Sequence, residues 1–182
     1  MSAKTKRYAM TVDTRTCVGC KACVLACKSE NDVPDSFCRD WIVEEVRGEF
    51  PNLTAEIRSE RCNHCSDAPC VSVCPTGASN VAEGGVVLVT HGKCTGCKAC
   101  IAGCPYDARY VHPKGYVDKC TFCLHRVQKG LEPACVGVCP TGTLTFGDRD
   151  DPESAVSKVL RTRKSKVNHP ESGADPNVFF LV

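Results

Sequence analysis

The sequence lacks long hydrophobic runs. Its apolar runs are short, such as Val86-Val87-Leu88-Val89 and, at the terminus, Phe179-Phe180-Leu181-Val182, far short of the roughly 20 residues needed to cross a bilayer. The chain is therefore expected to have no membrane span of its own. Met1 to Arg7 is polar and basic, and no apolar segment of signal-peptide type follows it. A surplus of charge is missing as well. Lys and Arg number 23 against 21 Asp and Glu, for a net charge of +2, so a basic nucleic-acid face is not expected. No set of residues resembles an acid–base or nucleophilic catalyst. Asp107 and Arg109 share a polar turn and read as a structural ion pair or subunit contact.

What the sequence has in excess is cysteine, 17 in 182 residues. That density normally signals a disulfide scaffold. Here 16 of the 17 fall into four groups of four, at spacings that suit shared metal better than cystine. The third group is Cys94-Thr95-Gly96-Cys97-Lys98-Ala99-Cys100-Ile101-Ala102-Gly103-Cys104-Pro105. Its C-x-x-C-x-x-C-x-x-x-C-P order is the bacterial iron–sulfur run, whose first three cysteines hold one [4Fe–4S] cluster and whose fourth reaches a second. Cys17, Cys20, Cys23 and Cys27 form the first group, with Lys28 where the others have proline. The second is Cys62, Cys65, Cys70 and Cys74, followed by Pro75. The fourth is Cys120, Cys123, Cys135 and Cys139, followed by Pro140. Zinc competes at this loosest group alone, because structural zinc takes widely separated cysteine pairs. Its ending Cys135-Val136-Gly137-Val138-Cys139-Pro140-Thr141-Gly142 echoes Cys70-Val71-Ser72-Val73-Cys74-Pro75-Thr76-Gly77, which argues for one ligand chemistry in both. Cys38 fits no group and reads as a small buried apolar residue. His64, between two ligands, reads as a supporting hydrogen-bonding or surface residue.

The remaining sequence predicts an α+β fold. Lys6–Val12 reads as a strand, and a short helix starts near Cys23 and stops before Pro34. Trp41–Val46 and Leu53–Arg58 flank a turn at Gly48–Asn52, forming a hairpin insert. Val81–Thr90 is a second hairpin turning at Gly84-Gly85. Ala108–His112 and Thr143–Phe146 read as strands, and the residues between Cys123 and Cys135 as a helical turn. Asp151–Lys166 has proline and acid at its start and bases towards its end, as suits a helix. Val167–Val182 reads as an extended tail, whose apolar end is expected to pack on the body or on a partner.

Each fourth cysteine calls for a second run, so the groups must pair, sequentially or nested. The short hairpin between the second and third groups and the strands flanking each half favour nesting, with Lys6–Val12 matching Thr143–Phe146 and Ala55–Ser59 matching Ala108–His112. The expected architecture is two ferredoxin-like two-cluster units, one inside the other. Residues 1–54 and 116–150 form the outer unit, with the hairpin insert at about 36–60. Residues 55–115 form the inner unit. Residues 151–182 form a short helix and an extended tail contacting partner subunits. The crossover rule then gives four ligand sets: Cys17, Cys20, Cys23 with Cys139; Cys120, Cys123, Cys135 with Cys27; Cys62, Cys65, Cys70 with Cys104; and Cys94, Cys97, Cys100 with Cys74. Lys21, Lys98, Lys119 and Arg126 adjoin ligands. For each of them, surface solubility is preferred over potential tuning.

The four groups, with Cys17-Val18-Gly19-Cys20-Lys21-Ala22-Cys23, Cys62-Asn63-His64-Cys65, Cys104-Pro105-Tyr106-Asp107-Ala108-Arg109-Tyr110 and Lys119-Cys120-Thr121-Phe122-Cys123, resemble the iron–sulfur subunits of molybdopterin oxidoreductases of the dimethyl-sulfoxide-reductase type, most closely those of polysulfide reductases. The resemblance implies four [4Fe–4S] clusters, nested pairing and a non-catalytic electron-transfer role. It implies two partners: a catalytic subunit with a molybdenum or tungsten bis-guanine-dinucleotide cofactor, and an integral-membrane quinone-binding anchor. It also implies peripheral attachment to the bacterial inner membrane through those partners, on the periplasmic side or alternatively the cytoplasmic side. A free polyferredoxin shuttle is the competing function. Against it stand the insert and the apolar tail.

Overall fold

The computed structural model describes residues 6–182; Met1–Thr5, assigned above to the outer unit, lie outside the described residues. The fold is mixed α/β, with small sheets and short helices. In order, its elements are β1 (Tyr8–Asp13), α1 (Ala22–Asn31), β2 (Asp40–Glu49), β3 (Asn52–Arg61), α2 (Pro69–Ser72), β4 (Ser79–Val81), β5 (Val87–Val89), α3 (Ala99–Ala102), β6 (Tyr110–Val111), β7 (Val117–Asp118), α4 (Leu124–Val127), α5 (Ala134–Gly137), β8 (Leu144–Asp148), α6 (Ala155–Thr162), β9 (Ser165–Lys166) and β10 (Val178–Leu181).

One sheet has the order β8-β1-β10-β9. Its inner strand β1 pairs antiparallel with β8 and parallel with β10. Ala9, Met10, Thr11 and Val12 are all buried, which explains why β1 alternates only weakly: a strand covered on both faces has no solvent side to mark with polar residues. The tail's apolar end is β10 itself. Val178, Phe180 and Leu181 are buried against β1, so these side chains are spent inside the protein. The helix expected over Asp151–Lys166 is shorter, because Asp151–Glu153 forms the turn leading into the cap residue Ser154.

The insert is a ten-residue antiparallel pair, from Asp40 opposite Arg61 to Glu49 opposite Asn52. At about 3.3 Å per residue it makes an arm of roughly 33 Å. Its root is buried, while Val46, Phe50 and Leu53 near its tip are exposed. β4 and β5 form the second expected hairpin. At its turn Gly84 lies with positive φ, and an added Cβ there would come within 2.2 Å of the Tyr8 ring, so only glycine fits. The matching of Ala55–Ser59 with Ala108–His112 is not found. β3 is taken up by β2, and β6 pairs with β7, because Pro113–Tyr116 supplies a local turn that lets the strand close on its own neighbour.

α1 runs through Cys27, whereas the short helices of the other three groups end before their last cysteine. This accounts for Lys28 in place of proline. Its N–H lies inside the helix, where proline would break the ladder. Its amine also holds the next loop, donating to the carbonyls of Pro34 (2.7 Å), Asp35 (3.2 Å) and Phe37 (2.6 Å).

Candidate iron–sulfur centres

α1 packs against α5, and α2 against α3. These contacts gather cysteines from distant runs. Cys17, Cys20 and Cys23 line one cavity together with Cys139. Cys94, Cys97 and Cys100 line another together with Cys74. In the third grouping the Asn31 amide reaches both Cys27 Sγ (3.7 Å) and Cys123 Sγ (3.8 Å). Burial pushes the Cys27 thiol far up, and Cys120, Asp40, Cys135 and Cys123 add to the effect. In the fourth, Cys65 is pushed up to about 12 by burial and by Cys62, Cys70 and Cys104. Cys20 and Cys97 are exposed, Cys17, Cys74, Cys94, Cys104 and Cys139 half-buried, and the remaining nine group cysteines buried; none is in a disulfide.

The local sequence builds these loops. In the third run Gly96 has positive φ, and a Cβ there would lie 2.5 Å from the Gly115 carbonyl oxygen. Backbone N–H groups point at sulfur: Ser79 at Cys74 (3.3 Å), Val117 at Cys94 (3.3 Å) and Phe122 at Cys120 (3.4 Å). The Cys-Pro-Thr-Gly echo has a physical counterpart. Thr76 Oγ1 lies 3.7 Å from Cys74 Sγ, and Thr141 Oγ1 lies 3.7 Å from Cys139 Sγ. The Ser79 N–H, with Thr76 behind it, outweighs the small burial of Cys74 and brings its thiol down to about 7. At Cys139 burial raises the thiol, but the Thr141 hydroxyl and the N–H groups of Thr141, Thr143 and Leu144 carry it below the usual range. Such donors stabilise a metal-bound thiolate.

The donor set fits iron–sulfur clusters. Among the described residues no three His, Cys, Asp or Glu side chains converge as a single ion requires; the cysteines surround cavities instead. Buried thiols that repel one another as thiolates need a shared cation, which cluster iron supplies.

Several residues differ from their sequence reading. Lys119 is not a surface residue: it is 1% exposed, and its Nζ donates to the carbonyls of Cys120 (2.6 Å) and Val87. Lys21 and Lys98 are exposed, and Arg126 pairs with Glu30 at 2.8 Å. Arg109 forms no ion pair with Asp107. It turns inward, its Nη2 2.7 Å from Cys70 Sγ and 3.0 Å from Ser79 Oγ, while Asp107 is exposed. His64 is fully buried and stacks on Phe122 with ring centres 3.7 Å apart. Burial, then Lys119, Arg109 and Arg61, hold it well below its usual range and so neutral. Its Nδ1 accepts the Val87 N–H at 3.2 Å, which leaves the proton on Nε2. Cys38 is exposed, in the loop whose carbonyls Lys28 holds. Sequence reasoning missed Arg61 altogether. Its only local sign, a base just before a run's first cysteine, also fits Lys93, which is exposed.

A fold of small sheets around buried groups of cysteine defines an iron–sulfur protein of the electron-transfer kind. Residues 53–149 match the model of a 4Fe-4S dicluster domain, and residues 16–79 match a second model of the same description. The sequence is 46% identical to a polysulfide reductase component of Wolinella succinogenes, over 97% of this chain and 94% of that protein. It is 42% identical to a tetrathionate reductase component of Salmonella typhimurium, over 96% and 72%. It is 35% identical to the arsenate respiratory reductase iron-sulfur subunit ArrB of a Shewanella species, over 96% of each. This protein belongs to the 4Fe-4S dicluster family, alongside the iron–sulfur subunits of dimethyl-sulfoxide-reductase-type respiratory reductases.

Proposed function

We propose that this chain is the electron conductor of a multi-subunit respiratory reductase acting on a sulfur compound such as polysulfide, joining a molybdopterin catalytic subunit to an integral-membrane quinone-binding subunit. It carries four [4Fe–4S] clusters in the sets Cys17/Cys20/Cys23/Cys139, Cys120/Cys123/Cys135/Cys27, Cys62/Cys65/Cys70/Cys104 and Cys94/Cys97/Cys100/Cys74. Residues 1–54 with 116–150, and residues 55–115, are the two nested ferredoxin-like units. The observation that carries this reading is that Cys139 and Cys74, each last in its own run, line the cavities of Cys17 and Cys94 respectively.

When bound, the clusters supply one-electron oxidation and reduction. The protein's own residues determine the path. Cys62 lies close enough to Cys120 to raise its thiol, after burial itself, so the two buried sets are neighbours. The sets with exposed cysteines, Cys20 and Cys97, are the two ends, where partners take and give electrons. No helix of the described residues is long and apolar enough to cross a membrane, so the membrane subunit holds this chain at the inner membrane, on its periplasmic face.

The test is composition. Iron and acid-labile sulfide should each approach about sixteen per chain, four per Cys₄ site, and the native complex should co-purify with a molybdopterin subunit. A free polyferredoxin is the second reading. The tail no longer speaks against it, since its apolar strand is buried within the protein; the arm with exposed Val46, Phe50 and Leu53 still does. Recovery as a fully active lone monomer would select the shuttle.

A further inference from the structure

Lys119 and Arg109 are buried, at 1% and 5% exposure, and among the described residues neither has a carboxylate partner. Arg61, as deeply buried, lies 3.0 Å from Asp40, and half-buried Arg39 lies 2.8 Å from Asp118. Lys119 has only main-chain carbonyls. Arg109 has Cys70 Sγ and Ser79 Oγ, and its Nε and Nη1 have no partner. Removing a lone charge from water costs several kcal/mol, so two in one region imply a buried anion between them.

The same cysteine set lies beside both. Arg109 touches Cys70 and faces Cys62, and it also engages Cys100 of the next set. Lys119 donates to the carbonyl of Cys120, in the preceding set, and its charge favours the thiolates of both Cys120 and Cys70. The junction on the far side of Cys120 differs. There Arg61 faces Cys135, Cys120 and Cys23, but Asp40 lies among the same cysteines and opposes it. Its charge is locally cancelled, and theirs is not.

We propose that Lys119 and Arg109 are permanent counter-charges to the cluster held by Cys62, Cys65, Cys70 and Cys104, and that they make it the most easily reduced of the four, an electron reservoir in the middle of the path. This rests on the four-cluster reading above. Reduction adds one electron to that centre as one leaves its neighbour, with no bond made and no proton moved. Fixed positive charge held in a region shielded from solvent favours the more negative, reduced form. Neither residue is catalytic; both act through the charge they hold in place.

The test is an EPR-monitored redox titration of the cluster-loaded protein. Cys65→Ser identifies which signal belongs to this set. Arg109→Gln and Lys119→Gln retain hydrogen-bond donors and lose the charge. Each should move that signal's midpoint to lower potential by more than it moves any other, and the double variant should move it further. Arg109→Lys and Lys119→Arg should stay near wild type. The inference is overturned if the neutral variants titrate like wild type, or if the charge-keeping variants shift as far as the neutral ones. Where a neutral variant fails to load the set and its charge-keeping counterpart loads it, charge is again what is needed. Where both fail alike, shape is what is needed, and the inference falls. Failure of the four-cluster reading is distinct: the wild-type protein would itself show fewer than four titrating centres.

Discussion

The side-chain amide of Asn177 donates to the His64 carbonyl across 2.7 Å, joining residues 113 apart in sequence. It does not act alone. The Asn177 N–H donates to Asn63 O at 2.8 Å, and the N–H groups of Ser66 and Asp67 donate to Asp175 O and Ala174 O at 2.8 and 3.1 Å. The residues just before β10 therefore strap down the loop that carries Cys62 and Cys65. Asn177→Ala removes a buried donor and leaves the His64 carbonyl unsatisfied, at a cost of about 1–3 kcal/mol. The expected outcome is faster loss of iron from the set containing Cys62 and Cys65 than from the others, followed by EPR during mild chelation.

The Asp40–Arg61 pair sits at the root of the β2–β3 arm, with both side chains at most 2% exposed. Asp40→Asn would leave a buried guanidinium without its counter-charge. Breaking one partner of such a pair costs roughly 3–5 kcal/mol. The temperature at which the loaded protein bleaches should fall accordingly. The double change Asp40→Asn with Arg61→Met should recover part of that loss, because no bare charge remains.

Lys28 is predicted to matter through its amine. Lys28→Met keeps α1 but gives up three hydrogen bonds to carbonyls. Bonds of this charge-assisted kind contribute about 1.5–3 kcal/mol each at most. Amide exchange in residues 32–38 should quicken while α1 stays protected. Lys28→Pro should be worse by about 3 kcal/mol, the cost of proline inside a helix, and should expose α1 as well.

The local elements were legible in the sequence where their pattern was local. The C-x-x-C loops, the helix at Cys23, and the hairpins at Gly48–Asn52 and Gly84-Gly85 each follow from turn chemistry or spacing within a dozen residues. What escaped depends on distant parts of the sequence. Phe179–Leu181 reads as sticky, yet only the parallel pairing with β1 makes β10 an inner strand. Lys119 reads as solvent-facing and Arg109 as the partner of Asp107 or of another subunit, since burying them makes sense only beside an anion that the residue types do not display. Cys38 reads as buried because cysteine usually is, but it lies exposed in the loop between α1 and the arm. His64 lies between ligands by sequence, and only the Val87 N–H assigns it a role.

Removal of the clusters should undo the fold. Many core positions are cysteines of the four groups, and without iron the spaces they surround are unfilled and the bare charges of Lys119 and Arg109 remain in the interior. Metal binding here is folding free energy. Ferricyanide and chelator treatment should abolish cooperative thermal unfolding by circular dichroism, and reconstitution with iron and sulfide should restore it. A protein that melted cooperatively without iron would contradict this.

Cys104 ends the third run but is proposed to serve the second run's cluster. Its surroundings separate the two assignments. Burial pushes its thiol up, the N–H groups of Ala108 and Tyr106 oppose this, and the cysteines that act on it are Cys62 and Cys70. Cys94, Cys97 and Cys100 line a separate cavity with Cys74. Cys104→Ser exchanges a thiolate ligand for a harder oxygen donor at one corner of one cluster. The expected result is a shifted midpoint and altered EPR lineshape, or loss of one iron, at the centre held by Cys62, Cys65 and Cys70, with the centre of Cys94, Cys97 and Cys100 unchanged. Cys74→Ser should give the mirror result, changing the centre of the third run and sparing that of its own. If each serine variant instead damaged the centre of its own run, the crossed ligand sets would be wrong, and the nested arrangement would lose its support.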